Sequence, residues 1–309
     1  MIGKLCMFPT EQGAIRLLRF AGIDVFVHWS WFVIALYEIQ ERRHDYRSFA
    51  WNVAEYLALF AIVTLHEFGH SLACRQVGGK ADQIVLWPLG GVAYVRPPQR
   101  PGATLWSIAA GPLVNAALLP ILLGVLLVAH GLRLEAMVPD ASRWLRAVFY
   151  INLMLLVFNL LPIYPLDGGQ ILRSLLWFVL GRARSLSLAT AVGLVGVAGL
   201  GALALWGKSV WLGILAGFVA LACWRGFQQA RVLLRLATLP RRRGFACPSC
   251  HAAPPVGAWW ACGRCQSRFD TFETRAICPG CGSHFPAGCV DCGSLHPIAE
   301  WVRAAEATG

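Results

Sequence analysis

The chain has 309 residues, 57% of them hydrophobic and 14% charged, and its mean hydropathy is +0.57. That composition excludes an ordinary soluble protein of this size and points to several membrane spans. The formal net charge of +11 does not by itself indicate nucleic acid, because Arg and Lys gathered at membrane ends give the same excess.

Near the N-terminus, Met7-Phe8-Pro9-Thr10-Glu11-Gln12 interrupts any apolar stretch and no small-residue cleavage site follows. No cleavable signal peptide is expected, and residues 1–20 read as a cytoplasmic segment. A span needs about 20 apolar residues. On that measure residues 23–39, 51–77, 104–128, 145–161, 186–205 and 210–223 are six candidate spans, and 170–180 is an apolar helix too short to cross. His28 reads as an interfacial or packed histidine. Gly78-Gly79-Lys80 stops the second span. Residues 84–95 are rich in β-formers around Gly90-Gly91 and suggest a small hairpin at the membrane surface. The fold expected is an all-α polytopic membrane protein of about six helices with that hairpin, followed by a small cysteine-rich module.

Six spans put both termini on one side. The loops on that side hold most of the Arg and Lys, so the termini and the C-terminal end of the second span are expected to be cytoplasmic. The membrane domain is read as residues 21–230. Residues 231–245 form a basic linker, ending in Arg241-Arg242-Arg243, expected to lie on the anionic leaflet.

The second span contains His66-Glu67-Phe68-Gly69-His70. On a helix, histidines at i and i+4 share a face and can bind one Zn²⁺, and the intervening glutamate can act as general base. Ionisable groups in a span are costly and usually mark function. A catalytic zinc takes three protein ligands. Asp167 is the strongest candidate for the third, set in an apolar stretch broken by Pro162, Pro165, Gly168 and Gly169. The competing reading makes Asp167 the N-cap of the helix that follows. Asn115 and Asn159 are polar groups in apolar spans. Each could bind substrate or steady a developing oxyanion, or simply join two helices. Gly90 and Gly91 lie where an edge strand could hold an unwound substrate.

These motifs, with Gly111-Pro112-Leu113-Val114-Asn115 and the run from Asn159 to Gly169, resemble the site-2 protease family, the intramembrane zinc metalloproteases of peptidase family M50. The resemblance covers roughly residues 20–230. It implies zinc held by His66, His70 and Asp167, with Glu67 as base. It implies cleavage of transmembrane segments of membrane-tethered regulators, often after a first cut by another protease, in the inner membrane of a bacterium. The chain is similar to compact six-span members without a PDZ domain. It departs from them at Tyr164, where many relatives have proline. A non-catalytic membrane scaffold would be expected to have lost Glu67 or a ligand, and a transporter has no required role for that glutamate.

The tail after the spans holds eight of the eleven cysteines, as Cys247/Cys250, Cys262/Cys265, Cys278/Cys281 and Cys289/Cys292. Four C-x-x-C knuckles at this spacing indicate two structural Cys₄ zinc sites, a double zinc ribbon over 246–295 with a short tail at 296–309. A cytoplasmic location argues against disulfides. The shortest loops favour pairing the first knuckle with the second and the third with the fourth. A protein partner is the expected use. Nucleic acid is disfavoured, because Asp270, Glu273, Asp291 and Glu300 dilute the basic residues. Cys6, Cys74 and Cys223 read as packing residues.

Overall fold

The computed structural model describes residues 13–41, 45–87, 90–292 and 294–306. Cys6 and most of the N-terminal segment lie outside these. The chain divides into two compact units, one running to Phe227 and the other from Gln228.

In the first unit the sequence expectation fails at the outset. Residues 14–28 form strands β1 (Ala14–Phe20) and β2 (Ile23–His28), so residues 23–28 are not the start of a span. The reason is the period. Ile23, Val25 and Val27 are buried while Asp24, Phe26 and His28 are half-buried, an alternation of two rather than 3.6. Only Ser30–Glu41 is helical (α1), and its 12 residues reach about 18 Å, well short of a bilayer core. Trp31 packs edge-on against Tyr56 and Phe60 of α2 (Phe49–Gln76), at ring separations of 5.6 and 5.5 Å.

The expected hairpin is β3 (Lys80–Trp87) with β4 (Gly90–Arg96). It is half of a larger sheet of order β1-β2-β3-β4, in which β2 runs parallel to β3. A parallel pair needs a crossover, and α1 with α2 supplies it. Ile23, Val25, Ile84 and Leu86, all without exposed surface, pack with Val63 of α2. The sheet is thereby fixed against the helix that carries the histidines. That helix is capped by the Ser48 hydroxyl and stops at Gly78, whose φ of 82° suits glycine.

Prolines open α3 (Pro101–Gly131) and α5 (Pro139–Leu160), which a short helix α4 (Leu134–Met137) separates. α5 ends because Pro162 disfavours helix at the residue before it. The chain then turns through a cis Tyr164–Pro165 peptide into α6 (Asp167–Trp206). α6 is two helices meeting at Gly181, whose φ of 76° and ψ of 170° only glycine adopts without strain. Its halves are the short helix and the fifth span expected from sequence. α7 (Val210–Ala237) follows, and Ile163 from the turn packs with Leu200, Ala216 and Val219. Among the described residues, α2, α3, α5 and α6 are long and apolar enough to cross a membrane.

The second unit holds the cysteines. Two small hairpins, β5 (Trp260–Ala261) with β6 (Arg268–Phe269) and β7 (Ala287–Gly288) with β8 (Leu295–His296), precede α8 (Ile298–Glu306). Trp301 of α8 is fully buried and meets Phe272 at 4.9 Å, with Phe245 and Trp260 on the same ring. The basic run expected on a lipid surface is largely used inside this unit. Residues 231–237 continue α7. Arg241 forks onto Asp291 at 2.6 and 3.1 Å, and Arg242 bonds Asp270 at 2.7 Å and Glu273 at 3.1 Å. Sequence alone could not show that the acidic partners lie fifty and about thirty positions away.

Candidate active site

His66, Glu67 and His70 are buried on α2, near the middle of the first unit's helical layer. His70 Nδ1 lies 2.9 Å from the Ser107 carbonyl, which can only accept, so Nδ1 carries the proton. His66 Nδ1 lies 2.5 Å from Asn115 Oδ1. The Asn115 amide is oriented in turn by Asn152: Asn115 Nδ2 donates to Asn152 Oδ1 at 2.8 Å, and Asn152 Nδ2 donates to the Asn115 carbonyl at 2.9 Å. With Nδ1 so engaged, each imidazole in its neutral form turns the lone pair of Nε2 toward the other, and the two Nε2 atoms lie 3.1 Å apart. Asp167 Oδ2 completes the triangle at 3.0 Å from His66 Nε2 and 3.3 Å from His70 Nε2.

Two imidazole nitrogens and a carboxylate oxygen converging in this way suit a cation, and these three residues could hold a metal ion. Bonds of 2.0–2.1 Å to a tetrahedral zinc would put ligand atoms ~3.3 Å apart, close to the separations seen. The chain approaches the site through glycine. A Cβ on Gly111 would come within 2.8 Å of His66 Nε2 and overlap His70 Nε2. A Cβ on Gly69 would sit 2.7 Å from the Ala110 carbonyl, so this glycine lets α2 and α3 close on each other.

Asp167 is the first residue of α6, where a carboxylate also suits the helix dipole. Its oxygen is nevertheless aimed at the histidines. The turn before it is tight enough that Cβ atoms on Gly168 and Gly169 would collide with backbone of residues 160–164.

Glu67 is buried beside β4. The Ala93 N–H donates to its Oε2 at 2.9 Å, and Gly91 lies so close that a Cβ there would overlap the carboxylate. β4 is also an outer strand of its sheet. Gly90 starts that strand opposite Trp87. Asn115 has no exposed surface, and its amide is used on His66 and Asn152, the helix-joining role that a polar group in an apolar span also allows. Asn159 is half-buried in the last turn of α5. Asn152 and Ser107 were not singled out from sequence. The rule that flagged Asn115, a polar group in an apolar span, applies equally to Asn152.

Residues 54–142 and 124–203 match the model of peptidase family M50. The chain carries a peptidase family M50 domain. It is 33% identical over 180 residues to a zinc metalloprotease of Methanocaldococcus jannaschii, covering 58% of this chain and 50% of that one. It is 31% identical over 188 residues to Rip3 of Mycobacterium tuberculosis, covering 54% and 44%. The chain spans about half the length of these curated relatives. Among solved structures it is similar to the site-2 protease from Methanocaldococcus jannaschii, with a TM-score of 0.51 and 27% identity over 69% of this chain and 95% of that one. The M50 match covers α2, α3, α5 and most of α6, the helices that bring the three candidate ligands together.

The cysteines form two further quartets, each able to hold a metal ion: Cys247, Cys250, Cys289 and Cys292, and Cys262, Cys265, Cys278 and Cys281. None of the described cysteines is in a disulfide. Sulfur separations of 3.6 and 3.7 Å in the first quartet and 3.6 and 3.4 Å in the second approach the ~3.8 Å edge of a tetrahedron with zinc–sulfur bonds near 2.3 Å. Each described knuckle turns at the residue after its second cysteine, in left-handed backbone at His251, Gln266 and Gly282. A hydroxyl supports the thiolate form at Cys278, where Ser267 pulls the thiol down to about 6.

The pairing is nested, first knuckle with fourth and second with third, not sequential. Loop closure discriminates weakly, by about 0.6 kcal/mol per doubling of length. The aromatic core around Phe272 and Trp301 packs on Cys247 and Cys289 and brings the outer knuckles together. That outweighs the longer loop.

Proposed function

We propose that this chain is a zinc-dependent intramembrane endopeptidase that cleaves transmembrane segments of membrane-tethered proteins. The observation that carries this reading is the convergence of His66 Nε2, His70 Nε2 and Asp167 Oδ2, with Glu67 adjacent, inside apolar helices. Zinc, held by His66, His70 and Asp167, would supply Lewis acidity to the scissile carbonyl and the attacking water. Glu67 takes the water's proton and passes it to the leaving amine. Its Ala93 hydrogen bond leaves one carboxylate oxygen to do so. The outer edge of β4 offers backbone groups that can hold an unwound substrate extended, with Gly90 and Gly91 giving close approach. Asn159 is placed to bond substrate or the developing oxyanion.

The bacterial inner membrane, with both termini cytoplasmic, is the proposed setting, because basic residues gather between α2 and α3 and around Gly181. Two structural zinc ions are proposed for the cysteine quartets, forming a double zinc ribbon at 246–295 that docks a protein partner rather than nucleic acid.

The test compares membrane-protein fragments in cells carrying the wild-type chain or Glu67→Gln. One transmembrane protein accumulating uncut only in the variant supports the protease reading. Matching profiles, with the variant still complementing a deletion, would overturn it in favour of a scaffold.

A further inference from the structure

At the opposite end of α3 from the histidines, α3, α4 and α5 enclose a cavity of about 620 Å³. Its two ends differ in chemistry. Leu123, Leu126 and Phe149 line one part, and His130, Arg133 and Arg146 line the other. Leu123 and His130 are seven residues apart on one helix, so the change from apolar to cationic takes place over about 10 Å. α3 itself, with 31 residues, reaches about 46 Å, longer than a hydrocarbon core of about 30 Å. A helix of that length has room for its charged last turns in the headgroup layer with Leu123 among acyl chains.

The charges here are not consumed by the fold. In an adjoining cavity that shares Arg146 and Tyr150, the polar groups serve structure: Tyr46 donates to Glu55, the Arg47 N–H donates to Asp140 at 3.0 Å, and Arg143 donates to the Asp45 carbonyl. The larger cavity has one carboxylate, Glu135, paired with Arg146 at 3.2 Å. Both partners are largely exposed, and an exposed pair of this kind holds weakly. Arg133 and His130 make no ion pair among the described residues. Arg133 is kept in left-handed backbone, φ 54°, which an arginine does not favour and which sets it at the cavity rim.

We propose that this cavity binds an anionic glycerophospholipid, with the phosphate at Arg133 and Arg146 and an acyl chain along Leu123, Leu126 and Phe149. Arg suits a phosphate because its planar fork can donate two hydrogen bonds at once. The surplus of positive charge favours an anionic headgroup over a zwitterionic one. Along α3 from Asn115 the site begins at Leu123, about 12 Å away, and reaches His130 at about 22 Å, and its lining includes none of His66, Glu67, His70 and Asp167, so it is separate from the histidine cluster and does not rest on the protease reading.

The experiment is native mass spectrometry of the full detergent-solubilised chain, titrated with phosphatidylglycerol or phosphatidylcholine. The wild type should retain phosphatidylglycerol preferentially. Each arginine near a headgroup contributes about fivefold in affinity, so Arg133→Gln with Arg146→Gln should weaken phosphatidylglycerol about 25-fold and leave phosphatidylcholine unchanged. Glu135→Gln should act in the opposite direction, strengthening phosphatidylglycerol by releasing Arg146. This second variant decides the matter if the double variant does not fold. Unchanged phosphatidylglycerol retention in either variant would overturn the proposal. So would glycerol phosphate displacing the lipid at equal concentration, which would mark a simple anion site.

Discussion

His66 and His70 ride on a 28-residue helix whose backbone is satisfied without any metal, whereas four of the eight paired cysteines sit in hairpins with two-residue strands and the other four in turns outside them. In the membrane unit, packing, Asn115 and Ser107 hold the candidate ligands in place with no need of an ion. In the cysteine unit the core is a few aromatic rings, too little to hold a fold of this size alone. The same element would therefore serve different ends, chemistry in one unit and folding in the other.

Removing metal should separate the two most sharply. Structural zinc contributes about 10–16 kcal/mol to small domains of this kind. A strong chelator should therefore unfold residues 246–306 and leave the helical unit intact. Limited proteolysis of the whole chain reads this, and a protease-resistant module after chelation would break the comparison. Trp301→Ala should come next, costing the cysteine unit about 3–5 kcal/mol. Its chelator sensitivity should rise while fragment production by the membrane unit is unchanged, if the ribbon's role is docking alone. Gly111→Ala should cost about 1–3 kcal/mol by overpacking the ligand imidazoles, seen as lower metal content in a chain that still extracts as a folded protein. Asn152→Ala should have the smallest effect. It leaves Asn115 and His66 in place but lets both turn, and metal affinity should fall about 10–100-fold with little change in thermal stability.

What could be read from sequence depended on whether a signal was local. The i, i+4 histidines need only helix geometry, and Asp167 announces itself as a carboxylate among prolines and glycines in an apolar run. The structure brings these three together. The sheet was half legible. Gly90-Gly91 marked β3 and β4, but β2 was hidden because an apolar strand running into an apolar helix has the composition of a span. Its parallel pairing with β3 is non-local and leaves no mark in either segment. Asn115 stands out locally as a polar group in an apolar span, but its partners Asn152 and His66 lie 37 and 49 positions away and leave no mark beside it. The knuckles were legible as ligands but not as pairs, since the aromatic rings that choose the pairing are distributed from Phe245 to Trp301.

Nesting has a consequence for how the cysteine unit is made. A ribosome releases the chain from its N-terminal end, so the inner quartet is complete once Cys281 has emerged. The outer one stays half-built, with Cys247 and Cys250 waiting, until Cys292 follows. Trp301, which covers the outer quartet, comes later still. During that interval a folded inner loop would sit at the end of two unpaired thiols, and a message truncated between these points would yield a chain carrying one closed centre and one open one.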